Sequence, residues 1–109
     1  MFFSKKTTDL RDISPAELRD ALAKQEVVLV DVREPNEFAA MRIEGATLLP
    51  LSSFDPAALP KGQVVLHCAA GKRSRTAAEI CAKAGVPVAG HLAGGIAAWA
   101  QAGLPVIRG

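Results

Sequence analysis

Two short apolar runs dominate the pattern: Val27-Val28-Leu29-Val30, bounded by Glu26 and Asp31, and Val64-Val65-Leu66, bounded by Gln63 and His67. Runs of this length, rich in β-branched residues and without polar alternation, suit strands covered on both faces. The first predicts a central parallel strand over 26–31 and the second a strand over 63–67. Helical stripes fall between and around them. Ser14-Pro15-Ala16-Glu17 is a capping-box pattern with Pro at the first helical position, and Leu18, Ala21 and Leu22 continue an apolar stripe, which predicts a helix over 15–24. Pro35 pre-sets a second, short helix with Glu37 near its positive end. Gly45 to Pro50 reads as a turn and a brief strand, and Ser53-Phe54-Asp55-Pro56 as a cap before one or two helical turns ending near Pro60. Ser74 is expected to cap a helix over 74–84 that Gly85 terminates, after which 86–92 supplies a last strand. Gly94-Gly95 breaks that strand, and 96–102 forms a final helix closed by Gly103. Alternating strands and helices with short links predict an α/β fold, a small parallel sheet with helices on both faces.

The chain of 109 residues fits one domain, 1–109, large enough for an apolar core without metal or disulfide staples. Its 50% hydrophobic and 22% charged content is that of a soluble globular protein, and no apolar run approaches a membrane span. Met1-Phe2-Phe3-Ser4-Lys5-Lys6 lacks the apolar region of a secretory signal, so the expected compartment is the reducing cytoplasm. A net charge of +2 without a long basic tract gives no reason to expect a nucleic-acid partner. Cys68 and Cys81 match neither a zinc-ligand spacing nor a redox pair, so no metal is expected. Cys81, among Ala77, Ala78, Ile80 and Ala84, reads as a small buried hydrophobe.

The chemistry concentrates at His67-Cys68-Ala69-Ala70-Gly71-Lys72-Arg73-Ser74, where a strand delivers one cysteine into a short basic loop that opens a helix. Unpaired N–H groups and the positive end of the macrodipole stabilise an anion there, and a thiolate is such an anion. A free cysteine, titrating at about 8.5, is roughly 3% thiolate at neutral pH, so a drop of one to two pH units changes its reactivity substantially. Ligands of parallel sheets gather outside the carboxyl ends of the strands, where both Asp31 and Cys68 fall; the strand order decides whether they face one pocket. His67 precedes Cys68 on a strand, where adjacent side chains point oppositely, which makes it a poor candidate base. His91 has no partner identifiable from sequence, and Trp99, Phe38 and Phe54 read as core.

Four segments in order resemble the rhodanese family from about Ser14 to Val106: Leu29-Val30-Asp31-Val32-Arg33-Glu34 with Glu37-Phe38; Ile43-Glu44-Gly45-Ala46 with Leu49-Pro50; the loop Cys68 to Ser74; and Leu92-Ala93-Gly94-Gly95-Ile96 with Trp99 and Gly103-Leu104-Pro105-Val106. Met41 and Arg42 stand where family members commonly have Gly-His. The resemblance implies a rhodanese-like fold and a thiosulfate sulfurtransferase-type enzyme with catalytic Cys68. A sulfane sulfur from thiosulfate or a similar small anionic donor would pass through a Cys68 persulfide to cyanide, a thiol or a protein acceptor, without metal, cofactor or general base. Successive N–H groups from Ala69 to Arg73 can form an anion nest, with Gly71 permitting the turn.

Lys72 and Arg73 suit the sulfonate end of a donor, against the alternative of solvated surface charge, and Arg75 is open between site and surface. Asp31 and Arg33 are read as structural groups near the site, with Arg33 meeting Glu37. Two other functions remain open: a sulfur-carrier or binding module with little free turnover, and a cysteine phosphatase or arsenate reductase. Cysteine phosphatases place five residues between Cys and Arg, whereas this chain places four, Ala69 to Lys72, which suits one sulfur atom better than a phosphoryl group.

Overall fold

The computed structural model describes residues 10–109; the reading of Met1–Lys6 lies outside them. Five parallel strands form the main sheet: β1 (Asp12–Ile13), β2 (Val28–Asp31), β4 (Thr47–Leu48), β5 (Val64–His67) and β6 (Gly90–Leu92), in the order β1-β6-β5-β2-β4. β3 (Met41–Arg42) and β7 (Ile107–Arg108) make a separate antiparallel pair. The helices are α1 (Pro15–Ala23), α2 (Pro35–Ala40), α3 (Lys72–Lys83) and α4 (Gly95–Gln101), with single 3-10 turns at Leu51–Ser53 and Pro56–Ala58. No helix among the described residues is long and apolar enough to cross a membrane.

The uninterrupted apolar runs occupy the middle of the sheet because neighbouring residues serve opposite faces. Leu29 and Val65, paired across β2 and β5, join Leu18, Ile96 and Trp99 in one core layer. Val30 and Leu66, the next pair, join Ala77, Ala78 and Cys68 in the other. Thus α1 and α4 cover one face and α3 the other. The capping box of α1 forms as expected: Glu17 N–H donates to Ser14 Oγ at 3.1 Å and Ser14 N–H donates back to the Glu17 carboxylate at 2.9 Å. Trp99 is buried and donates Nε1–H to the Pro105 carbonyl at 2.8 Å, tying α4 to the closing segment.

Several bounds differ from the sequence reading. The last parallel strand is confined to Gly90–Leu92 rather than 86–92, and β1, β3 and β7, two residues each, are additional. α3 opens at Lys72, two residues before the expected start, with Gly71 in the cap position at φ +112°. Ser74 is therefore the third residue of the helix and not its cap. The physical reason is that Cys68 Sγ accepts the N–H of Ser74, the bond a capping side chain would ordinarily take.

Candidate active site

Cys68 follows β5 directly, so its position is set by the middle of the sheet. Its side chain is 1% exposed and lies on the α3 face, while His67 points the opposite way. Gly71 N–H donates to Sγ at 3.1 Å and Ser74 N–H at 3.3 Å, with Ser74 Oγ at 3.6 Å. Burial pushes the thiol's pKa up, but hydrogen bonds from the Ser74 amide and hydroxyl and from the Gly71 and Ala70 amides outweigh it, so the net shift is downward. The donor set is narrower than the expected run from Ala69 to Arg73. The amides that act on the sulfur are those of Ala70, Gly71 and Ser74, and the amides of Lys72 and Arg73 have no backbone acceptor among the described residues.

The loop's orientation comes from α4. Ile96 N–H donates to the Cys68 carbonyl at 2.9 Å and Ala97 N–H to the Ala69 carbonyl at 3.0 Å, which turns these carbonyls away from the sulfur and leaves amides facing it. That approach requires Gly95: a Cβ there would lie 2.5 Å from Cys68 O, Ala69 C and Ala69 O. Gly94-Gly95 follows the end of β6 at Leu92, as expected, and Gly95 in addition admits this close approach.

Arg73 is not free to meet a donor's sulfonate. Its guanidinium forms a bidentate pair with Glu37, Nη1–Oε1 2.7 Å and Nη2–Oε2 2.9 Å, and these hydrogen bonds hold the Glu37 carboxyl down at about 2. Glu37 also accepts the Glu34 N–H at 2.9 Å, so one carboxylate closes the start of α2 and anchors the first turn of α3. Lys72 is exposed, with no ion pair among the described residues, while Arg75 lies 3.8 Å from Asp12. Lys72, Arg75, Asp12, Gly71, Gly94 and His91 border a cleft of about 360 Å³ beside the loop.

Asp31 and Cys68 do not share a pocket, although β2 and β5 are neighbours and Asp31 pairs in register with His67. The Asp31 carboxylate turns to Arg33, with Nη2–Oδ2 at 2.7 Å, on the face opposite Cys68. Burial raises its pKa, but His67 and Arg33 outweigh this and bring it to about 2. His67 Nε2 lies 3.3 Å from Asp31 Oδ2 but is not aligned for a hydrogen bond, and its Nδ1 lies 3.2 Å from the Cys68 carbonyl. Arg33 does not reach the Glu37 carboxylate: it donates to the Met41 carbonyl at 2.6 Å and approaches the Glu37 carbonyl at 3.5 Å. Met41 and Arg42 form β3, pairing with Arg108 and Ile107.

His91, without a partner in the sequence reading, is buried between two: Ser74 Oγ lies 2.8 Å from Nδ1 and Asp12 Oδ1 lies 2.8 Å from Nε2. Asp12 sits on a two-residue edge strand, too short to show a period, so no sequence signal could have joined it to His91.

A parallel α/β sheet that ends one central strand in a cysteine loop leading into a helix N-terminus defines a class of domains built around that loop. The chain belongs to the rhodanese-like domain family, whose model matches residues 14–102. It is 42% identical over 99 residues to the uncharacterized protein slr1261 of Synechocystis sp., an alignment covering 88% of this chain and 55% of that protein. It is 37% identical over 102 residues to a sulfurtransferase of Allochromatium vinosum, covering 90% of this chain and 95% of the relative. The fold is similar to a crystal structure of a rhodanese-related protein from Thermoplasma volcanium, with TM-score 0.80, 29% identity and coverage of 89% and 97% of the two chains.

Proposed function

We propose that this chain is a sulfurtransferase that carries sulfur on Cys68. The Cys68 thiolate attacks the sulfane sulfur of a small anionic donor such as thiosulfate; a new S–S bond forms, the donor's S–S bond breaks, and sulfite leaves with the bonding pair. Cyanide, a thiol or a protein acceptor then removes the outer sulfur and regenerates the thiolate. The observation that carries this reading is the pair of short N–H contacts to a buried sulfur, from Gly71 at 3.1 Å and Ser74 at 3.3 Å. The amides of Lys72 and Arg73, without backbone acceptors, supply further donors for the outer sulfur of a persulfide. Lys72, exposed and without an ion pair among the described residues, and Arg75 on the same cleft are the cations placed to draw in an anionic donor. Arg73, locked to Glu37, braces the loop, which further disfavours the phosphatase reading because its fork is already filled.

Intact-mass measurement after thiosulfate treatment tests this. The expected result is one added sulfur atom on the wild type and none on Cys68→Ser, with thiocyanate formed on adding cyanide. Absence of a Cys68-dependent sulfur adduct from thiosulfate and from a persulfide donor overturns the reading. Loading without turnover by cyanide or thiols identifies the carrier function instead.

A further inference from the structure

Ser74 joins the Cys68 cradle to a polar chain that the sulfur chemistry leaves unused. Its Oγ lies 3.6 Å from Cys68 Sγ and 2.8 Å from His91 Nδ1, and His91 Nε2 lies 2.8 Å from Asp12 Oδ1. The four residues come from four places: the end of β5, the first turn of α3, β6 and β1. His91 is enclosed, whereas the Asp12 side chain is 63% exposed on the wall of the cleft.

Proton counting limits what this chain can do. An ionised Asp12 carboxylate only accepts, so the 2.8 Å contact requires a proton on His91 Nε2. With a neutral ring, Nδ1 is bare and takes the Ser74 hydroxyl proton, so Ser74 Oγ meets the sulfur only as acceptor of a thiol S–H. Moving each proton one place gives the alternative: Nδ1–H donates to Ser74 Oγ, and the Ser74 hydroxyl donates to a thiolate. Both arrangements fit the same heavy-atom positions; in the second, the Gly71 carbonyl, 3.2 Å from Ser74 Oγ, competes with the thiolate for the hydroxyl proton, and the negative charge on sulfur favours the thiolate.

We propose that Asp12, His91 and Ser74 form a proton relay that takes the Cys68 proton onto His91, so that the working site is a thiolate and an imidazolium joined through the Ser74 hydroxyl. The proposal deepens the sulfur-transfer reading and rests on it for its purpose. The S–H bond breaks as a new Oγ–H bond forms, and the original Oγ–H bond breaks as Nδ1–H forms. No proton is exchanged with solvent and nothing is oxidised or reduced. The persulfide made by attack on a sulfane donor carries the same single charge as the thiolate, so His91 keeps its proton through the cycle. The charged groups around the ring are Asp12 from β1, Arg75 and Lys72 from α3 across the cleft, and Cys68 through Ser74. His91 and Asp12 are positioning residues, because they act on the sulfur through Ser74.

Linkage supplies a test that a purely structural histidine would not pass, since coupling between two sites is reciprocal. Titration of Cys68 by thiolate ultraviolet absorbance is expected to shift to higher pH by about one pH unit, a tenfold change, in His91→Gln and in Ser74→Ala, and by less in Asp12→Asn. In the wild-type protein at neutral pH, imidazole nitrogen chemical shifts are expected to report a cationic His91, and a neutral one once methyl methanethiosulfonate has capped Cys68. An unchanged Cys68 midpoint in folded His91→Gln, or a His91 ring indifferent to capping, overturns the relay. The capping measurement uses the wild-type fold and decides the matter even where a variant does not fold. If no sulfur is loaded while this linkage holds, the functional reading fails and the relay stands.

Discussion

Cys68, packed beneath α3, and Cys81, a residue of α3 itself, are both buried and both free, yet their environments drive them in opposite directions. Burial pushes the Cys81 thiol up with nothing to oppose it. At Cys68 the same burial is outweighed by amide and hydroxyl donors. Exposure therefore does not distinguish a reactive cysteine from an inert one here. The direction of the surrounding dipoles does, and that direction is fixed by α4 holding the loop's carbonyls away from the sulfur.

Gly95→Ala is the strongest way to erase this contrast. A methyl group 2.5 Å from three backbone atoms at φ +63° must displace the loop, at a cost of about 1–3 kcal/mol. Sulfur transfer is expected to fall at least roughly a hundredfold as the amides that stabilise the thiolate are misaligned, equivalent to about 2.7 kcal/mol. Thermal unfolding and sulfur-transfer kinetics read the two effects, and near-wild-type activity would dissociate α4 from the cradle.

Acid stability tests the brace behind the loop. Glu37 and Asp31 are both held at about 2, below the ordinary carboxylate value of about 4, so the folded protein binds fewer protons than the unfolded chain in that interval. Their contribution is full above about pH 4 and is lost as pH falls toward about 2. Denaturant midpoints measured across this range are expected to drop for the wild type and to drop less steeply in Glu37→Gln, where Arg73 is released and only the Asp31 share of the dependence remains.

Cys81→Ala sharpens the comparison from the inert side. It removes a small buried group, so a stability loss of about 1 kcal/mol is expected in thermal melts, with sulfur loading unchanged. Lys72→Ala carries the smallest effect, a rise in thiosulfate KM of about two- to threefold and a weaker dependence on salt, as for the loss of one exposed charge. Initial-rate kinetics at two ionic strengths check it, and unaltered values would place Lys72 outside donor capture.

The sequence carried the parts of this arrangement that are local. The unbroken runs at 27–30 and 64–66 marked interior parallel strands, and the capping box at Ser14 marked α1, because each signal lies within a few residues. The cysteine loop was visible for the same reason. Partnerships across the fold were not: Glu37 meets Arg73 over 36 positions and Asp12 meets His91 over 79, and no periodicity connects them. The start of α3 was misplaced because Ser74 has the composition of a cap, while the group that accepts its amide is a sulfur six positions earlier.

The most direct measurement is a titration of thiolate absorbance in the Cys81→Ala protein, which isolates Cys68. The account predicts a single midpoint below the free-cysteine value of about 8.5. A midpoint at or above that value would mean that burial governs Cys68 as it governs Cys81, and would contradict the account.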